Sequence, residues 1–571
     1  MTEETNQRKA AAALLQTALA GGPDAALAAK RAALLAERND PRLARQALAV
    51  VSKLEPLDPT PRLAAARLAA EQGDIAAALS EAEAVLGGAV DQAARARAAF
   101  MLGEIARMRS DWAAARSYFE TTLKIEDALL AADRSNVTAA RWFARARGRL
   151  AELDAGEGKF DRARAGAEGA LALLRACAAQ IKETPMLAAD IADAELRLGA
   201  LDLDNDQAAS ARRRCGEAIG RYEALAITES EEPHWRAVLA DAWAIAAEAD
   251  YARGAHDEAR AAMDKALQAR IRLAAKHADE AWSLAGTWRL RATLRAALGD
   301  NDVAAESLAQ ARALAEALSL RSGGAEAPER FLQRTLIDQA DHALRSGDLN
   351  RAREAADTAR MRAEALAEAC HSALWLSEAS AAWDRLGEAA RAAGAHAQAQ
   401  DAFARAVEFR RLAGESTPAD PAHARALASA LVKQGELALD TGFPAGARAA
   451  FHEGASIRLK FVEETPNNRR ALYAFAAALE RLGLAALACG DRDAARGAWE
   501  EQLHVAERIF PDSDTPESLR FRAIIHAHLA GASGADAESH RLQALALFDD
   551  LAKGGIMSER EAALRKKLWG A

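Results

Sequence analysis

The side chains able to do chemistry in this sequence are few and scattered. His526 and His528, in IIHAHLAG, carry metal-ligating imidazoles, but residues two apart point away from each other on a helix. They are expected as a solvated pair beside a loop, holding no metal. Cys177, Cys215, Cys370 and Cys489 form no CxxC and no Cys/His spacing of the kind zinc requires, so buried, reduced thiols are expected. The triplet Arg212 to Arg214 offers guanidinium groups to an anion, yet on a helix it reads as a solvated outer face. RWFARARGRL, residues 141 to 150, mixes arginine with aromatic rings as RNA-binding segments do, but its charges point in several directions. There is no Walker loop, HExxH, GxSxG or phosphate-cradling glycine turn after a strand. The expectation is a protein that is not an enzyme and uses no cofactor.

The elements that carry these residues are helices. Of 571 residues, 51% are of hydrophobic type, while only 14 are Pro and 4 Tyr, which leaves long stretches free of breakers. Alanine, leucine, arginine and glutamate dominate, and β-branched residues are sparse. The net charge of -9 comes from 83 acidic and 74 basic residues mixed along the chain, which gives no basic face for nucleic acid. The N-terminus lacks the apolar core of a signal peptide, and no later apolar run is read as long enough to span a membrane. A soluble, cytoplasmic chain is expected.

WDRLGEAARAAGAHAQAQDAF shows how the helices are organised. It places Gly387 seven residues before a turn glycine, Gly394, with Ala399 and Phe403 following. The same offsets recur at Gly435, Gly442, Ala447 and Phe451, and at Gly483, Gly490, Ala495 and Trp499. A breaker followed five residues later by alanine extends the series to Asn39, Gly73, Ser110, Gly158, Asp206, Gly254, Gly299, Gly347, Gly394, Gly442 and Gly490. A ligand-binding glycine loop would not repeat in this way. Each unit reads as two amphipathic helices joined at the turn, and such a pair must stack on its neighbours to bury its apolar face. Pro185, Pro233, Pro328, Pro421 and Pro466 fall far enough beyond their turns to allow second helices of about 20 residues.

The pattern, Trp-x2-Leu-Gly, then Ala-x3-Phe, then a closing proline, resembles that of the tetratricopeptide (TPR) family. The early intervals of 34 and 37 residues fit that family, and the later ones stretch to about 48. FMLGEIARMRSDWAAARSYF supplies Leu102, Gly103, Ala115 and Phe119 in the same register. The resemblance implies an all-α, right-handed α-solenoid of stacked helix-turn-helix repeats. An N-terminal helix would span 1–23, short repeats 24–134, extended repeats 135–530 and C-terminal capping helices 531–571, with Leu564, Leu568 and Trp569 at helical spacing. It also implies that Trp243, Trp288 and Trp383 pack in the core, with Arg147 at the equivalent position of its repeat.

Function then rests on the concave face, which the resemblance lines with first-helix residues near 13, 10, 6, 3 and 2 positions before each turn. These are Asp241, Glu248 and Tyr251, then Arg289 and Thr293, then Arg334, Asp341 and Arg345, then Asp384, Glu388 and Arg391, then Glu436. The lining is mixed and becomes mostly acidic toward the C-terminal half. It suits a protein or peptide partner that is basic or of mixed charge, bound by a scaffold or adaptor, with neither nucleic acid nor membrane involved. The alternative is a sensory or regulatory array controlling a separate effector chain in signalling or defence.

Overall fold

A computed structural model describes residues 2–569, apart from 38–39, 73, 89, 110, 182, 205–206, 230–231, 278–279, 418–420, 467, 512–514, 533 and 535. All regular structure among the described residues is helical. The chain divides into two compact units, Met1–Glu280 and Ala281–Ala571, a division that falls inside the expected 135–530 series of extended repeats.

In the first unit, α1 (Thr2–Ala20) precedes helix pairs α2 (Ala25–Ala36) and α3 (Pro41–Leu54), α4 (Thr60–Glu71) and α5 (Ile75–Leu86), and α6 (Gln92–Met108) and α7 (Trp112–Ala132). The longer pairs follow: α8 (Val137–Gly156) and α9 (Phe160–Gln180), α10 (Pro185–Asp204) and α11 (Ala208–Thr228), α12 (Pro233–Ala252) and α13 (His256–Ala274). The second unit continues the pairing with α14 (Ala281–Ala297) and α15 (Asn301–Arg321), α16 (Glu326–Arg345) and α17 (Leu349–Cys370), and α18 (Ala373–Ala392) and α19 (His396–Ser416). It goes on through α20 (Pro421–Asp440) and α21 (Pro444–Glu464), α22 (Arg469–Ala488) and α23 (Arg492–Ile509), and α24 (Pro516–Gly531) and α25 (Ala537–Lys553), and ends at α26 (Glu559–Trp569). The pair α24 and α25 carries no turn of the expected series, and the expected boundary after residue 530 falls within α24, one residue before its end.

Local chemistry fixes the hairpins. Gly158, Gly254, Gly299, Gly347, Gly394, Gly442 and Gly490 each fall between the two helices of a pair with φ between 72° and 81°, a left-handed conformation that strains an L side chain. The expected turns at Asn39, Gly73, Ser110 and Asp206 lie outside the described residues. The alanine five residues on is fully buried in every repeat of the series, from Ala44 through Ala259 to Ala495. Four first-helix glycines face the aromatic ring sixteen residues later, so that a Cβ on Gly103, Gly387, Gly435 or Gly483 would come within 3.0 Å of Phe119, Phe403, Phe451 or Trp499. These glycines are therefore packing positions, where any side chain overfills the gap.

Several expectations need correction. Pro185, Pro233 and Pro421 stand at the first position of α10, α12 and α20, where a missing N–H costs nothing, so they open first helices as much as they close second ones. Trp243, Trp288 and Trp383 are half-buried, each under a cation: Lys265 at 4.1 Å, Arg291 at 5.5 Å and Arg360 at 5.2 Å from the ring centroid. Cys177 and Cys215 are buried, but Cys370 and Cys489 are exposed near helix ends. Residues Arg469–Ala488 do form a helix long and apolar enough to cross a membrane. Packing accounts for that composition: Leu472, Phe475 and Leu479 are core residues and Gly483 backs onto Trp499.

His526 and His528 are packed, not solvated. His526 stacks on His540 of α25, with centroids 5.1 Å apart, and His528 stacks on Trp499 of α23 at 5.0 Å. Residues two apart on a helix do point to different neighbours, but here both neighbours are protein. At the C-terminus, α26 packs through Leu564 and buried Leu568 against Phe548 and Leu551, leaving Trp569 exposed.

Candidate functional site on the first-helix face

Within each unit the first helices pack on the next of their kind, α8 on α10 and α10 on α12, α16 on α18 and α18 on α20. Side chains at one register of neighbouring repeats therefore meet on this face. A carboxylate six residues before one turn repeatedly pairs with a cation nine residues before the next. The rungs are Glu104 with Arg149 at 2.8 Å and Glu152 with Arg197 at 2.8 Å in the first unit. In the second they are Asp341 with Arg385 at 2.6 Å, Glu388 with Lys433 at 2.5 Å and Glu436 with Arg481 at 3.0 Å. Burial raises the Glu152 pKa, but Arg149 and Arg197 outweigh it and hold the carboxyl below its ordinary value.

This ladder changes how the expected site residues stand. Asp341, Glu388 and Glu436 occupy its acidic positions, and the cations that neutralise them lie at a register the sequence reading did not use. Arg391 also reaches Glu436, at 3.5 Å, and Asp440. Asp384 was expected to be solvated; it is buried, with Lys433 3.5 Å away and its Oδ1 lacking a hydrogen-bond partner, and burial raises its pKa despite that lysine. Asp241 is exposed but bound by Arg270 of α13, and Tyr251 stacks on His256. Glu248 is exposed and makes no ion pair among the described residues; crowding by the surrounding helices and then Asp204 raise its pKa.

Arg289 binds Asp338 at 2.6 Å and lies over Phe331, while Arg334 is 3.5 Å from Glu378. Thr293, Asp341 and Arg345 come together. Between α14 and α16 the rung is missing, since Thr293 stands at the acidic position and Asp338 at the cationic one. A pocket of about 160 Å³ opens there, lined also by His342.

The sequence reading missed a second set of charges altogether. In the first unit the carboxylates of Asp154, Asp190, Glu195, Asp202 and Asp250 are at most 3% exposed. Each is held by two arginines: Arg116 and Arg162, Arg141 and Arg145, Arg175 and Arg214, Arg164 and Arg214, Arg212 and Arg253, respectively. Arg212 and Arg214 are thus structural ties, not a solvated face, and Arg147 hydrogen-bonds the Gly166 carbonyl. The signal was present as a repeat. Arg116, Arg164 and Arg212 each stand six residues after a turn, and Asp154, Asp202 and Asp250 four before the next.

No family model matches the sequence, and no curated protein matches it. Among solved structures it is similar to the apo form of RapI, at 12% identity over 71% of this chain and 98% of that one, with a TM-score of 0.42. It is similar to yeast Tom70, at 14% identity over 88% and 95% with a TM-score of 0.38, and to BtubC from P. vanneervenii, at 18% over 44% and 90% with 0.35. The chain's own geometry defines the fold: helix pairs stacked in register, a left-handed glycine at the described turns, a buried alanine five residues on, and in four pairs a glycine against an aromatic ring. Within each unit the helix pairs stack as an α-solenoid of tetratricopeptide-like repeats, most of them extended.

Proposed function

We propose that this protein is a non-catalytic scaffold or adaptor that binds protein or peptide segments along the first-helix face. The observation that supports this most directly is the ladder of half-exposed opposite charges, which recurs at one register on adjoining first helices and presents both signs to solvent. A segment of mixed charge can exchange partners with successive rungs, and many modest contacts then sum along it. The ladder favours mixed charge over a purely basic segment, because Arg385, Lys433 and Arg481 offset the carboxylates beside them.

The test takes a partner captured by pull-down and compares its binding kinetics with the wild-type chain and with a Glu388→Lys, Glu436→Lys variant at two salt concentrations. Both residues are half-exposed, so the fold should survive. Slower association that becomes less dependent on salt is expected, since screening over about 8 Å at 0.15 M acts on exposed charges. Equal association rates, or cross-links confined to second helices, would refute this choice of face.

A further inference from the structure

A different surface of the second unit carries a cavity of its own. It has a volume of about 500 Å³ and lies between α15, the C-terminal half of α16 and the start of α17. Its wall contains the carboxylates of Asp302 and Glu306 from α15 and Glu354 from α17, none of which makes an ion pair among the described residues. Its two arginines are already engaged on their own helices, Arg312 by Glu316 at 2.8 Å and Arg351 by Asp348 at 3.3 Å. What remains is an excess of negative charge facing a space large enough for a side chain.

Acidic surface alone would be unremarkable solvated helix. The second observation is His342, which lines both this cavity and the smaller pocket on the first-helix side. It is 7% exposed, and its Nδ1 is buried without a hydrogen-bond partner. Burial, followed by the charge of Arg345, lowers its pKa and so favours the neutral ring. A neutral imidazole keeps one of its two nitrogens as an acceptor. A buried imidazole nitrogen without a partner, in a wall that also carries three unpaired carboxylates, suits an occupant rich in donors and positively charged.

We propose that this cavity docks an arginine side chain of a partner protein, with the guanidinium bridging the carboxylates of α15 and α17. The planar guanidinium carries five N–H donors in a fixed fork and can serve acceptors on two helices at once, whereas a lysine ammonium is a compact point charge with three. The site goes beyond the first-helix reading: its carboxylates come from second helices, and although it shares His342 and Leu308 with the smaller pocket, it includes neither Thr293 nor Asp338 of the missing rung.

The experiment is calorimetric titration of the full chain with N-acetyl-arginine amide, with the lysine amide and the neutral citrulline amide as comparisons. Saturable binding of the arginine compound is expected, about tenfold weaker for citrulline, which keeps the shape and loses the charge. Glu306→Gln with Glu354→Gln should weaken arginine binding about tenfold while leaving the melting temperature unchanged, because both residues are exposed. Glu388→Lys, on the first-helix face, should leave it unchanged, which separates this site from the proposed groove. Failure to saturate, equal binding of citrulline or lysine, or an unaltered affinity in the double variant would each overturn the proposal.

Discussion

The two units join helix pairs by different chemistry. In the first, the repeats from α8 to α13 are tied by carboxylates that are nearly inaccessible and each gripped by two arginines. In the second, from α18 to α23, each pair is closed by glycine on its first helix against a ring on its second, at Gly387 and Phe403, Gly435 and Phe451, and Gly483 and Trp499. Where the first unit has no large ring at this register it uses Ala151 with Ala167, Gly199 with Cys215 and Ala247 with Met263, all buried or on buried helix faces. Apolar joints are tolerant of pH and salt but intolerant of volume. Ionic joints are the reverse: removing one partner leaves a charge without water or a counter-ion.

The largest expected effect sharpens that contrast. Asp202→Ala should destabilise the first unit by about 3–5 kcal/mol, because Arg164 and Arg214 lose a shared buried partner. Asp384→Asn in the second unit should change stability by less than about 1 kcal/mol, since that carboxyl already lacks a full set of partners and its charge is disfavoured by burial. Urea unfolding read by hydrogen exchange would show it, and equal losses would erase the distinction.

A pH effect of opposite sign in the two units comes next. Burial pushes the Glu126 carboxyl on α7 up to about 7, against the opposing charge of Arg97, so its contribution is present below the ordinary carboxylate pKa and is lost as pH rises through about 7. Burial, then His540 and Arg522, push His526 on α24 down to about 4. That contribution is present above the ordinary histidine pKa and is lost as pH falls toward about 4. Each is worth about 3 kcal/mol at most. Exchange protection should therefore rise around α7 and fall around α24 and α25 on acidification from pH 7 to 5, and Glu126→Gln or His526→Leu should flatten the respective trend. Parallel changes in both places would contradict the assignment.

The smallest effect is local overpacking. Gly483→Leu should cost about 1–3 kcal/mol, felt in α22, α23 and the helices packed on them, because contacts in a solenoid run between neighbours. Gly199→Leu, whose nearest neighbours stand at ordinary contact distance, should cost less. Melting curves with peptide-level exchange would decide, and uniform loss across the chain would disprove the nearest-neighbour picture.

The sequence by itself determined the pairing of helices, the position of the described turns and the buried alanine after each, because backbone sign and side-chain volume are properties of single residues that recur at a fixed period. Gly394 must turn and Gly387 must leave room whatever surrounds them. It also carried the Arg116, Arg164 and Arg212 recurrence, but nothing local says that an arginine on one helix will meet an aspartate 38 residues on; solvated and buried arginines look alike in a string of letters. Tertiary structure alone decided that Asp384 turns inward, that Arg385, Lys433 and Arg481 neutralise the acidic register, and that Thr293 with Asp338 leaves a gap. Those outcomes depend on the rotation of each long helix about its axis. A helix of about 20 residues that shifts by one position turns by about 100°, enough to carry a side chain from solvent into the core.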